Sequence, residues 1–174
     1  MNGARRQALL IAIAVFILDR VTKLLIEAKV SVYDSITVIP GVFNIVYTRN
    51  RGAAFGILQN APESIRLLVL VGIALCVLAL IVWMLWQATR DSAPSTLANR
   101  LALSLVLGGA IGNLYDRILQ GSVTDFLQVF LGSYEWPSFN VADSAISIGA
   151  ALMAIDLLFL TRKQVPTNHA PETH

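Results

Sequence analysis

The chain has 174 residues, 56% of them hydrophobic and 14% charged, with a formal net charge of +2. Soluble domains carry about a quarter charged residues, so much of this surface suits lipid, and two basic doublets, Arg5-Arg6 and Arg162-Lys163, make a poor nucleic-acid footprint. Both histidines, His169 and His174, follow Pro166 in a polar tail and Cys76 is the single cysteine, which excludes His-based triads, His-ligated zinc and an intramolecular disulfide.

A bilayer core about 30 Å thick needs about 20 apolar residues in a helix, and four stretches approach this. The first, 8–28, follows Arg5-Arg6 as a signal peptide would. It lacks a small-x-small cleavage site, and Asp19 and Lys23 extend it, so it reads as a retained anchor. Residues 31–48 change character: Ile36, Val38, Ile45 and Tyr47 flank a Pro40-Gly41 turn, a hairpin signal. A short apolar segment, 53–58, completes an amphipathic insert, 29–62, expected to rest on the outer membrane surface.

The second span, 65–86, contains an unbroken apolar run, with Asn60, Pro62 and Glu63 as its cap and first turn. Cys76 inside it is expected to be a packed, inert thiol. Trp83 and Trp86 fall at its inner interface. The third span, 97–120, carries Gly108-Gly109, suited to close helix packing, and ends at Gly121. The fourth, 139–160, opens with Asn140 and Asp143 and carries Asp156 near its far end, away from the other polar groups. Residues 165–174 form a tail expected to be disordered.

Four spans put both termini on one side. Arg5, Arg6, Arg90, Arg100, Arg162 and Lys163 then oppose Lys29, Arg49, Arg51 and Arg66, and the excess favours cytoplasmic termini.

Without imidazole, acid–base chemistry near neutral pH falls to carboxylates or a lysine. Asn113, Asp116 and Arg117 share one helical face, Asp19 and Lys23 reach the same depth, and Asn140 and Asp143 enter from the fourth span. Taken singly, Asp116 and Arg117 also read as interfacial anchors, Asp19 with Lys23 as an intrahelical ion pair, and Asn113 and Asn140 as interhelical hydrogen bonds. Asp125 and Asp143 have no basic residue within four positions. If adjacent in space they share one proton, the requirement of aspartic-peptidase chemistry. The competing readings are a small proton-coupled transporter, a non-catalytic lipoprotein-binding protein, and a Ser-Lys peptidase using Lys29.

Five blocks carry a resemblance: DRVTK (19–23), TRNRGAAFG (48–56), GGAIGNLYDR (108–117), VTDF (123–126) and FNVADS (139–144). In this order and spacing they resemble the lipoprotein signal peptidases (signal peptidase II), over nearly the whole chain to about Arg162. The resemblance implies a mainly α membrane protein, one peptidase domain over 1–164, with four transmembrane helices, a small periplasmic β-cradle and a short interfacial helix. It implies an aspartyl endopeptidase of the bacterial inner membrane, with its active site near the periplasmic face. Its substrates are diacylglyceryl-modified prolipoproteins, cleaved before the lipidated cysteine. The catalytic dyad falls on Asp125 and Asp143. Asn50, Gly52, Asn113, Arg117 and Asn140 match site-lining positions, and Asp19, Lys23 and Asp116 match supporting ones. Neither metal nor cofactor is expected, the protein is expected to be a monomer among membrane lipids, and globomycin is the expected inhibitor. Glycines 52 and 56 are expected to hinge the insert as a clamp over the site.

Overall fold

The computed structural model describes residues 2–32, 34–52, 62–91 and 95–160. The elements are α1 (Gly3–Lys29), β1 (Ser35–Ile39), β2 (Phe43–Asn50), α2 (Glu63–Ala88), α3 (Leu97–Gln120), β3 (Val123–Leu131), β4 (Tyr134–Phe139) and α4 (Val141–Ile155), which continues as a π-helical turn over Asp156–Leu160. The 53–58 segment, Asn60, the hinge at Gly56 and the 165–174 tail lie outside the described residues.

Among the described residues three helices are long and apolar enough to cross a membrane: α2, α3, and α4 as far as Leu158. α3 is the central one. Its most apolar window is 56% buried, against 11% for α2 and 22% for α4, and it packs against α1, α2 and α4. Small residues permit this. A Cβ on Gly108 would lie 2.5 Å from the Ala12 carbonyl oxygen of α1, and one on Gly109 would lie 2.5 Å from that of Ala142 in α4. The Gly-Gly pair therefore lets two helices approach α3 on adjacent faces, as its sequence indicates.

α1 is bounded by Asn2, whose side chain accepts from Arg5 N–H. At this end of the bundle the Arg5 guanidinium lies 3.9 Å from the Trp86 ring centre. α2 begins after Pro62, which holds the cap position without a side-chain hydrogen bond. Cys76 is exposed on α2, contrary to the packed thiol expected. A continuous apolar run marks burial in lipid as readily as burial in protein, and α2 turns most of its surface outward.

The strands form one antiparallel sheet in the order β1-β2-β3-β4. β1 and β2 are the expected hairpin, turning at Gly41 with φ +72°. β3 follows α3 through Gly121, whose left-handed φ of +68° closes the helix with its N–H on the Arg117 carbonyl. In register, Thr48 of β2 faces Asp125 of β3, and Leu127 faces Phe139 of β4. The sheet thus delivers Asp125 to the head of α4, where β4 ends.

Candidate active site

α1 and α3 meet through charge. Lys23, fully buried, lies 2.8 Å from Asp19 and 2.7 Å from Asp116, both also fully buried. Arg20 pairs with the other oxygen of Asp116. Two cations and two anions thus balance in a place where an unpaired charge costs several kcal/mol. The Asp19–Lys23 pair is intrahelical, as its spacing suggests, and it also joins two helices. Asp19 reaches a third: its Oδ1 accepts the Ala142 N–H of α4 at 3.0 Å.

Above this cluster the head of α4 carries a reciprocal cap. The Asn140 side-chain oxygen accepts the Asp143 N–H at 2.9 Å, and Asp143 Oδ2 accepts the Asn140 N–H at 3.2 Å. Two otherwise orphaned donors of the helix are satisfied. The cap leaves the Asn140 amide N–H groups pointing outward, and Nδ2 donates to Asp125 Oδ1 at 2.7 Å. Asn140 therefore bridges the two aspartates.

Each aspartate has a second asparagine. Asn113 Nδ2 donates to Asp143 Oδ1 at 2.7 Å, and Asn50 Nδ2 donates to Asp125 Oδ2 at 3.1 Å. The Asn50 side-chain oxygen in turn accepts the Gly52 N–H at 3.1 Å, the role that falls to Gly52. All four carboxylate oxygens thus accept one donor each. Arg117 stands beside them, half-buried, with one guanidinium N–H on the Asn113 carbonyl at 3.3 Å. Among the described residues no three His, Cys, Asp or Glu side chains converge as metal ligands.

Asp125 is 3% exposed. Burial pushes its carboxyl up to about 7, and the Asp143 charge adds to the push; the Asn50 and Asn140 hydrogen bonds, and last the Lys23 charge, oppose it. A carboxyl in this range exchanges a proton near neutral pH.

The pair opens into a cleft of about 760 Å³. Asn50, Asn113, Arg117, Asp125 and Asp143 form its polar end. Its walls are Leu70, Ile73, Ala74 and Val77 of α2, Ile146 and Ile148 of α4, and Trp136 to Phe139 of β4. One end suits polar chemistry and the walls suit apolar chains.

The structure brings together Asn50, Gly52, Asn113, Arg117, Asp125, Asn140 and Asp143, with Asp19, Lys23 and Asp116 directly behind. Asp156 is remote and accepts from the Thr96 hydroxyl near the other end of the bundle. Three contributors escaped the sequence reading. Arg20 balances Asp116. Thr124, fully buried, donates to Glu27 at 2.7 Å and so ties the strand next to Asp125 to α1. The Thr48 hydroxyl donates to the Asp125 carbonyl at 3.3 Å. All three lie inside the motif blocks, which was the available signal; Glu27, the partner of Thr124, lies outside them.

A family model described as Signal peptidase (SPase) II matches residues 11–159. A lipoprotein signal peptidase of Solibacter usitatus is 48% identical over 158 residues, 91% of this chain and 94% of that protein. Another, of Geobacter sulfurreducens, is 44% identical over 151 residues, 86% of this chain and 90% of its own. Two solved bacterial membrane enzymes have the same fold. The one determined at 2.3 Å has a TM-score of 0.79 at 35% identity and covers 94% of each chain. The one at 1.9 Å has a TM-score of 0.73 at 37% identity, over 88% of this chain and 93% of that one. With a family match across most of its length and relatives this similar over nine-tenths of their own, the chain belongs to the signal peptidase II family.

Proposed function

We propose that Asp125 and Asp143 are the catalytic pair with which this protein removes signal peptides from prolipoproteins, cleaving before the diacylglyceryl-modified cysteine. The protein is an aspartic-type endopeptidase of the lipoprotein signal peptidases. The observation that carries the assignment of residues is the Asn140 bridge, which holds two carboxyl groups side by side at the polar end of an apolar cleft.

The chemistry needs one proton on the pair. The ionised carboxylate takes a proton from water as the water oxygen bonds to the scissile carbonyl carbon. The protonated carboxyl gives its proton to the carbonyl oxygen, so a neutral gem-diol forms. On collapse the C–N bond breaks. The amine leaves with the proton taken from water, and one gem-diol hydroxyl returns its proton to the other aspartate. The pair ends as it began. Asn50, Gly52, Asn113 and Asn140 orient the carboxyl groups, and Arg117 is placed to hold a peptide carbonyl. Asp19, Lys23 and Asp116 support them.

The apolar walls favour a substrate that arrives from lipid. Burying an acyl chain is worth about 0.8 kcal/mol per CH₂, so cleavage at membrane level avoids extracting two such chains into water. Globomycin, as a cyclic lipopeptide, fits the same combination of apolar wall and polar end.

α1 is the fourth span in this reading. Its 27 residues rise about 40 Å. Its internal charges turn towards α3, while Leu10, Ile13, Ile17 and Leu24 are exposed on the lipid side. The single peptidase domain, 1–164, then sits in the inner membrane as a monomer. Both termini are cytoplasmic, the sheet is periplasmic, and the site lies at the periplasmic face. A proton relay across the membrane is disfavoured because the polar groups gather at one end of the bundle. Cleavage of a purified lipidated precursor in detergent tests the function. An intact precursor after prolonged incubation with folded protein would reject it.

A further inference from the structure

A lysine side chain can only donate hydrogen bonds. Lys23 Nζ lies 3.1 Å from the Asn113 side-chain oxygen, so that oxygen must face α1 and the amide N–H groups must face away. The Asn113 orientation is therefore dictated by a cation. Its Nδ2 then donates to Asp143 at 2.7 Å, and the ammonium polarises this donor from behind.

The other asparagines are locked differently. Asn140 is held by the Asp143 N–H and Asn50 by the Gly52 N–H, both neutral backbone donors. The Asn140 amide is also divided: besides Asp125 it reaches the Asn113 side-chain oxygen and the Thr124 carbonyl, each at 3.3 Å. Asp125 thus has only neutral donors, one of them shared. Asp143 has a cation-backed donor and the backbone N–H of the cap residue Asn140, and it sits in the first turn of α4, where the helix N-terminus favours negative charge.

Resting on the assignment of Asp125 and Asp143 as the catalytic pair, we propose that Lys23 is a positioning residue that sets their roles. By fixing Asn113, it makes Asp143 the carboxylate that takes the proton from water and leaves the shared proton on Asp125. The burial of Asp125, which raises its carboxyl to about 7, is consistent with that division.

The charged groups around the pair do not reverse it; the Lys23 charge also bears directly on Asp125, but as the smallest influence there, and burial outweighs it. From α1, Asp19 and Arg20 are engaged in the Lys23 and Asp116 ion pairs, and Glu27 accepts from Thr124. From α3, Asp116 faces Lys23, while the Arg117 charge is felt more by Asp143 than by Asp125. From β2, Arg49 donates to the Tyr47 hydroxyl. α2 and β4 contribute only uncharged side chains to the cleft.

The test is the pH dependence of kcat on a lipidated precursor, measured with full-length protein in one detergent. Losing the Asn113 donor destabilises the ionised Asp143, so the acid limb of kcat moves to higher pH, by about one pH unit. Asn113→Ala removes that donor while leaving every Lys23 ion pair in place. The charge-balanced double variant Lys23→Met, Asp19→Asn removes the cation while Arg20 still pairs with Asp116. Both are expected to shift the limb, lower kcat about tenfold at the former optimum and change KM less than threefold. A role in folding alone would lower the active fraction without moving the limb. An unmoved limb in Asn113→Ala overturns the proposal, as does a shift in Asn113→Ala that a folded double variant lacks. If the double variant does not fold, the Asn113→Ala limb decides. Should Asp125→Asn and Asp143→Asn both retain full turnover, the catalytic pair itself is refuted; if both are inactive and the limb is unmoved, only the role of Lys23 falls.

Discussion

Asn140 and Asp143 cap one another across the first turn of α4, and the side of Asn140 left over by that cap grips Asp125. A helix-capping motif and a carboxyl pair are therefore one structure. The two functions are separable by substitution. Asn140→Ala removes both the cap acceptor and the Asp125 donor. It is expected to cost about 1 kcal/mol of stability and at least about 100-fold in kcat. Asn140→Ser keeps an oxygen able to cap but no amide for Asp125, so it should regain most of the lost stability and little of the activity. Thermal unfolding and turnover of the two variants, measured side by side, check this.

The raised Asp125 carboxyl gives a pH dependence with a definite sign. Its value in the folded protein, about 7, exceeds the ordinary 3.8. The stability it contributes is therefore fully present below about pH 4 and is lost as pH rises through about 7. Turnover that needs its proton should decline over the same alkaline range. Asp125→Asn cannot ionise, so its Tm should fall by several degrees less than the unmodified protein's between pH 5 and pH 8. Parallel Tm curves for the two proteins would contradict the burial argument.

The glycines of α3 make a graded series. A Cβ on Gly112 would lie 2.6 Å from Asp19 Oδ2, and one on Gly109 would lie 2.5 Å from the Ala142 carbonyl oxygen, whereas one on Gly72 in α2 meets nothing within 4 Å. Gly109→Ala and Gly112→Ala should each destabilise by about 1–3 kcal/mol. Gly112→Ala should also lose activity by displacing the partner of Lys23. Gly72→Ala should be neutral or stabilising by up to about 1 kcal/mol. Thermal unfolding in a single detergent ranks the three.

Much of this arrangement is legible in the residues alone. The apolar run of α2 needs only hydropathy, and the β1–β2 hairpin follows from alternation around Pro40-Gly41. The meeting of Asn113, Asp125, Asn140 and Asp143 follows from their depths in successive spans together with the motif blocks. β3 and β4 do not declare themselves. Phe126 to Leu131 is a mostly apolar run without alternation, and Pro137 argues against a strand unless it lies on an edge, where β4 does lie. Spacing identifies Asp19 as a partner of Lys23, but Asp116 and Asn113 lie some 90 positions away, and only the packing of α1 on α3 joins them. The orientation of each asparagine amide is likewise a property of three-dimensional neighbours. Cys76 misleads because lipid and protein interiors select the same side chains.

The cleft walls predict dependence on the substrate's acyl chains. The same precursor without diacylglycerol should show kcat/KM lower by at least about 100-fold, since several buried CH₂ groups are forgone. Comparable values in one detergent would remove the lipid role from the apolar wall. Asp156→Asn, by contrast, should leave kcat within about threefold, because Asp156 sits near Thr96 at the far end of the bundle; a larger loss in folded protein would contradict that separation.

The central claim is that Asp125 and Asp143 together activate water. The most direct measurement is cleavage of a lipidated precursor by purified Asp125→Asn and Asp143→Asn, each shown to be folded by an unchanged circular dichroism spectrum and cooperative unfolding. Because each substitution keeps the shape of the side chain and removes one carboxyl group, the account predicts turnover at least about 1,000-fold below that of the unmodified protein in both. Turnover within tenfold of the unmodified protein in either variant would contradict it.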